Sequence, residues 1–154
     1  MSQISIRVYG LLINEQRQVL VSDEYIRGNY YTKFPGGGLE FGEGLRDGLK
    51  REFQEEMQLN IEVADHLYTT DFFQRSAFNP NYQIISVYYR VNALEPIRVP
   101  LRNKSFEFDP DQLALYEKTQ QTESFRFIEW IDFSGEIVSL PIDKIVADLL
   151  KSKA

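Results

Sequence analysis

From Ile4 to Ile13 the apolar side chains first alternate (Ile4, Ile6, Val8) and then merge into Leu11, Leu12 and Ile13, the period-two signature of a strand. The polar stretch 14–18 reads as a turn and Val19–Ser22 as a returning strand, so the chain is expected to open on a hairpin. Tyr30–Phe34 is a short aromatic strand that stops at Pro35, and the three glycines Gly36, Gly37 and Gly38 suit a sharp, backbone-exposed turn. From about Gly44 the period becomes helical. Leu45, Leu49, Phe53 and Met57 fall four apart and make one slowly drifting apolar stripe on a helix. Period two returns in Ile61–Phe73 and Tyr82–Val91, and the near-continuous apolarity of the second marks a central strand beside the first.

Residues 93–124 carry Pro96, Pro100 and Pro110 with scattered charge, and are expected to form an insertion or long functional loop, with two helical turns in 111–118. Ser124–Ile131 reads as a further strand. Pro141 then opens a last helix, about 141–152, on which Ile142, Ile145, Val146, Leu149 and Leu150 are amphipathically spaced. Strands, helix, strands, helix, without repeats or low-complexity linkers, predict a single α/β domain over 1–154, with a mixed β-sheet between helices.

Composition narrows the chemistry. A chain of 154 residues that is 43% hydrophobic and contains no apolar run of membrane-spanning length reads as a soluble globular protein. Its first residues enter strand pattern directly and show no signal-peptide layout, which points to the cytoplasm. Without cysteine there is no thiolate nucleophile and no cysteine-based zinc or iron–sulfur site, and one histidine, His66, makes no imidazole cluster. A net charge of −6 opposes binding to extended nucleic acid. A small phosphorylated ligand stays admissible, because divalent cations bridge carboxylates to phosphate oxygens.

The candidate chemistry lies in Arg51–Leu59. On a helix Glu52, Glu55 and Glu56 occupy positions i, i+3 and i+4, which share one face within an arc of about 100°. No lysine lies four residues beyond any of them, so the repulsion between like charges, about 0.2–0.5 kcal/mol per i,i+4 pair, is not offset in that way. Glu56 projects about 40° from the centre of the apolar stripe, at the edge of the buried face, where an anion needs a cation. Two readings follow: a solvated acidic face partly neutralised by Arg51, or a hard-cation site for Mg²⁺ or Mn²⁺.

Spacing alone does not choose between them, but its context does. The run Gly37–Leu59 resembles the Nudix (MutT-like) hydrolase box. The box glycine falls on Gly37, its first glutamate on Glu43, its arginine and glutamate on Arg51 and Glu52, its apolar position on Phe53, its glutamate pair on Glu55 and Glu56, and its closing apolar position on Leu59. One position departs, because the last glycine is Gln58. A glutamine there either takes a left-handed strain of about 1 kcal/mol or passes the helix exit to Asn60.

The resemblance implies the family's α/β/α sandwich and a metal-dependent pyrophosphohydrolase that cleaves a nucleoside diphosphate linked to another group. It implies Mg²⁺ or Mn²⁺ on Glu52, Glu55 and Glu56, with Glu52 deprotonating or orienting the attacking water. Arg51 and Glu43 would orient the glutamates, and Gly36, Gly37 and Gly38 would bring backbone close to the diphosphate. A further acid, Glu107, Asp109 or Glu117, could complete the centre, and nothing in the sequence chooses among them. Strand aromatics such as Tyr30, Tyr31, Phe72, Phe73, Tyr88 and Tyr89 are more often core than base-stacking platforms. His66 is expected on a strand surface and Trp130 under the last helix.

The isopentenyl diphosphate isomerase branch is similar in the box but uses a cysteine, which this chain lacks. A non-catalytic nucleotide-binding sensor of the same fold is the alternative, against which the intact glutamates argue. The expected partner is a small nucleotide, with no membrane, and a homodimer is among the states the sequence admits. Gln74, Arg75, Ser76 and Ala77 carry neither the proline nor the tyrosine that marks particular substrate subgroups, so the substrate stays open.

Overall fold

In the computed structural model, which describes residues 2–153, the elements run β1 (Gln3–Leu12), β2 (Gln18–Ile26), β3 (Asn29–Lys33), β4 (Gly36–Gly38), α1 (Leu45–Met57), β5 (Ile61–Thr69), β6 (Tyr82–Ala93), β7 (Leu101–Arg102), α2 (Pro110–Thr119), β8 (Gln121–Glu129), a 3₁₀ turn (Trp130–Asp132) and α3 (Pro141–Ser152). The strands form two four-stranded sheets, β4-β1-β6-β5 and β3-β2-β8-β7. Two units follow the same division: the chain up to Ile13 with Pro35–Arg98, and Asn14–Phe34 with the chain from Val99 onward. The expected mixed α/β class is met, with its strands shared between two sheets.

The expected opening hairpin is corrected. A turn does form, with Asn14 N–H donating to Gln18 O at 3.0 Å, but β1 pairs with β4 and β6 while β2 pairs with β3 and β8. The physical reason lies in burial on both faces: Val8–Leu12 and Val19–Glu24 are buried without alternation, and a two-stranded ribbon leaves one face of each strand in water. The three glycines are a strand rather than an open turn, paired antiparallel with Arg7, Val8 and Tyr9.

In the first unit β1 and β6 run parallel and in register over ten pairs, and β5 is the expected neighbour of β6, antiparallel on its other side. The stripe Leu49, Phe53 and Met57 of α1 is buried. A Cβ on Gly10 would stand 2.7 Å from the Phe53 ring, so α1 lies on the β1 face that carries Gly10 and Val8, and glycine makes its close approach feasible.

The helix ends at Gln58, with φ 51° and ψ 38°; its N–H donates to Gln54 O at 2.9 Å and that of Leu59 to Phe53 O at 3.4 Å. Of the two exits open to the sequence, the chain takes the strained one. His66 is exposed on β5, with Nε2 2.7 Å from Thr69 Oγ1.

In the second unit Asp23 is wholly buried, and its carboxylate accepts from Arg126 Nε at 2.6 Å, Thr32 Oγ1 at 2.7 Å and Phe106 N–H at 3.2 Å. These charge-assisted bonds offset a burial that is otherwise costly. The segment expected as an insertion or long loop holds β7, and the two helical turns expected in 111–118 are met by α2. Asp109 caps α2 by accepting from Gln112 N–H, with Pro110 in its first turn. Ile142, Val146 and Ala147 of α3 are buried, and Lys151 of that helix donates to Trp130 O at 2.5 Å and lies over its ring.

Candidate active site

The box glutamates leave α1 with graded exposure. The Glu52 side chain is 13% exposed and that of Glu55 58%, while Glu56 is half-buried, as its place beside the apolar stripe predicts. Glu52 is packed against the strand opposite: a Cβ on Gly37 would stand 2.6 Å from its carboxyl carbon. Glycine at that position is a steric requirement for the carboxylate to sit where it does.

Arg51 ties the cluster together. Its Nη2 donates to Glu43 Oε1 at 2.7 Å and to Gly38 O at 2.9 Å, its Nε to Glu43 Oε2 at 3.0 Å, and its Nη1 to Glu52 Oε1 at 3.0 Å and Glu55 Oε2 at 3.1 Å. The planar guanidinium thereby fixes a loop acid, a strand carbonyl and two helix acids at once. Glu43 also accepts from Glu40 N–H at 2.8 Å, and Gly42, with φ 98°, closes the tight turn between those two residues.

Hydrogen bonds from Arg51, then the Glu40 amide, hold the Glu43 carboxyl down at about 2. Hydrogen bonds to Glu43, then to Glu52, push the Arg51 guanidinium further up. The sequence reading missed Glu40, whose Oε2 lies 3.6 Å from Arg51 Nε. Its signal was the three-residue spacing to Glu43.

Among the described residues no three Asp, Glu or His side chains converge into a set that could hold a metal ion. Two of the three expected ligands, Glu52 and Glu55, lean on Arg51 instead. The donor chemistry still fits Mg²⁺ or Mn²⁺, because Mg²⁺ keeps several waters and is held by one or two carboxylates plus substrate phosphates rather than by an all-protein cage. Asp109 is committed as the α2 cap and to Arg102 at 2.9 Å, and Glu107 accepts from the Asn103 and Lys104 amides. Of the aromatics, Tyr88 and Tyr89 are core, whereas Tyr30, Phe72 and Phe73 are exposed.

The NUDIX domain family model matches residues 3–131. The chain belongs to the NUDIX family. Solved structures of like fold include the ORF135 protein of E. coli, with a TM-score of 0.68 at 12% identity over 98% of this chain and 91% of that one. A MutT NUDIX hydrolase from Burkholderia pseudomallei reaches 0.65 at 14% identity over 97% and 99%. An ADP-ribose pyrophosphatase from Streptococcus suis reaches 0.56 at 17% over 97% and 92%.

At these identities the structural likeness shows the fold alone, and no curated protein matches the sequence. Membership makes the chain a Nudix-type hydrolase in the general sense, acting on a nucleotide-linked pyrophosphate, with the family's α/β/α fold class. Among the described residues no helix is long and apolar enough to cross a membrane.

Proposed function

We propose that this Nudix-type hydrolase cleaves the pyrophosphate bond of a nucleoside diphosphate linked to another group, with Mg²⁺ or Mn²⁺ held by Glu52, Glu55 and Glu56, and releases a nucleoside monophosphate or another phosphorylated product. The observation that carries the reading is the Arg51 hub, which holds Glu52 and Glu55 on one helix face and sets Glu52 over Gly37. An acidic helix face serving only solubility has no need of a loop acid, a strand carbonyl and a fitted glycine to fix it.

When bound, the cation neutralises the diphosphate and acidifies the attacking water. The chain supplies the rest. Arg51 engages Glu52 Oε1, so Oε2 is the atom that orients the water and accepts its proton. The water oxygen forms a new P–O bond as the bridging P–O bond breaks and the leaving phosphate departs in line. Arg51 and Glu43 keep Glu52 in place through this step, and Gly36, Gly37 and Gly38 let the backbone approach the diphosphate closely.

The test is a panel of nucleoside triphosphates, nucleotide sugars, ADP-ribose and dinucleotides, assayed with Mg²⁺ and with Mn²⁺. Release of a nucleoside monophosphate from at least one member is expected, and silence from folded protein across the panel would refute the proposal. Glu55→Gln with Glu56→Gln should abolish turnover and the rise in melting temperature that Mg²⁺ gives. Metal-free stability should stay within about 0.5 kcal/mol for the Glu55–Arg51 pair, which is exposed on the glutamate side.

A further inference from the structure

The sheet face that carries α1 continues beyond the helix as an open floor. Gly10, under the Phe53 ring, and Val8, opposite Gly37, mark that face on β1, and strand alternation brings Ile6 and Ile4 onto it. The β1–β6 register is unbroken, so Ile85 and Gln83 lie beside them, and the isolated bridge between Gln83 and Arg75 sets Arg75 on the same face. Cover thins along this line: Val8 is buried, Ile6 is 39% exposed and Ile4 62%. The floor ends in a cleft of about 220 Å³ bounded by Gln3, Ile4, Phe73, Arg75, Tyr82 and Gln83.

Position and chemistry agree on an occupant. The Glu52 carboxylate stands over Gly37, the β4 partner of Val8, and Ile4 is four β1 residues away, roughly 13 Å along the strand. That is comparable to the reach of a nucleoside diphosphate from its phosphates to its base. The Phe73 ring is 62% exposed. The Arg75 guanidinium lies 5.7 Å from the ring centroid and is steadied by the Pro80 carbonyl.

An open ring face, a delocalised cation and the amides of Gln3 and Gln83, with no carboxylate in the lining, suit a planar ring with polar edges. The cleft is small beside the roughly 300–1,000 Å³ of sites for drug-sized ligands, which suits a single ring system. We propose that this cleft is the subsite for the nucleobase of the diphosphate substrate, with Phe73 and Arg75 stacking the ring and Gln83 reading its edge; the inference rests on the hydrolase reading above.

Two measurements test it. Phe73→Trp adds a reporter to the single native tryptophan, Trp130. Its emission should be quenched saturably by a nucleoside monophosphate and not by ribose 5-phosphate, and equal or absent quenching overturns the subsite whatever the enzyme cleaves. With whichever substrate the wild type cleaves, Phe73→Ala should raise KM at least about fivefold and leave kcat within about twofold, while Gln83→Ala should alter the preference among bases.

Unchanged KM in a normally melting Phe73→Ala protein refutes the subsite and leaves the hydrolase reading standing. Base-dependent quenching in a protein that hydrolyses nothing does the reverse.

Discussion

Gln58 turns the unusual helix exit into a measurable quantity. At φ 51° and ψ 38° it occupies the left-handed region, where an L-residue with a Cβ loses about 1–2 kcal/mol relative to right-handed helix. Both hydrogen bonds at this end are made by backbone, from Gln58 N–H to Gln54 O and from Leu59 N–H to Phe53 O, and the Gln58 side chain is exposed. Gln58→Gly therefore removes the strain and keeps the bonds. Against this stands the greater freedom of glycine in the unfolded chain, about 0.4–1 kcal/mol. The net is a stabilisation of about 0.5–1 kcal/mol, or roughly 1–4 °C in melting temperature for a chain of this size. Gln58→Ala keeps the strained dihedrals and should gain nothing. Urea and thermal unfolding of the three proteins, with turnover measured alongside, decide the matter. A glycine variant no more stable than the alanine variant would refute the reasoning, and a lost activity would show that the exit matters to the chemistry after all.

Gly37→Ala should destabilise by about 1–3 kcal/mol and cut turnover, because its Cβ would meet the Glu52 carboxylate; adding Glu52→Ala should recover most of the stability, and a double variant with additive losses would show that the clash lies elsewhere. Glu43, held at about 2 from an ordinary 4.5, stabilises the fold fully above the unfolded value and loses that contribution as pH falls through 4.5 towards 2. Acid unfolding should therefore be shallower over that window in Glu43→Gln than in the wild type, as read by circular dichroism, and identical slopes would remove Glu43 from the linkage.

What was legible in the sequence follows how local its cause is. The stripe of α1 is a property of four residues on one helix, and Leu49, Phe53 and Met57 are buried as their spacing requires. The β5–β6 pair is met as well, and α3 in part, since Ile142 and Val146 are buried while Ile145 of its expected stripe is exposed. The opening hairpin failed because the partners of β1 come from residues 36–38 and 82–93, and no period within the first strand encodes a partner so distant. The glycines misled for a related reason. Read locally they promise a turn, yet Gly37 is small to admit a carboxylate from α1, fifteen residues on. In Phe73, the likeness of strand aromatics to core residues concealed an exposed ring.

The surroundings of Arg51 support the proposed cation by their charge balance. Its guanidinium faces the carboxylates of Glu40, Glu43, Glu52 and Glu55, so one positive charge stands against four negative ones, with Glu56 half-buried on the same helix. Glu43 takes the largest share, three of the contacts within 3.2 Å. Glu52 and Glu55 each receive a single bond from one nitrogen, Nη1. Around Arg51 the four carboxylates are thus organised by a single guanidinium. A fixed guanidinium sets the geometry, and the surplus of carboxylates around it supports the proposed divalent ion, which would arrive with the phosphates it has to neutralise.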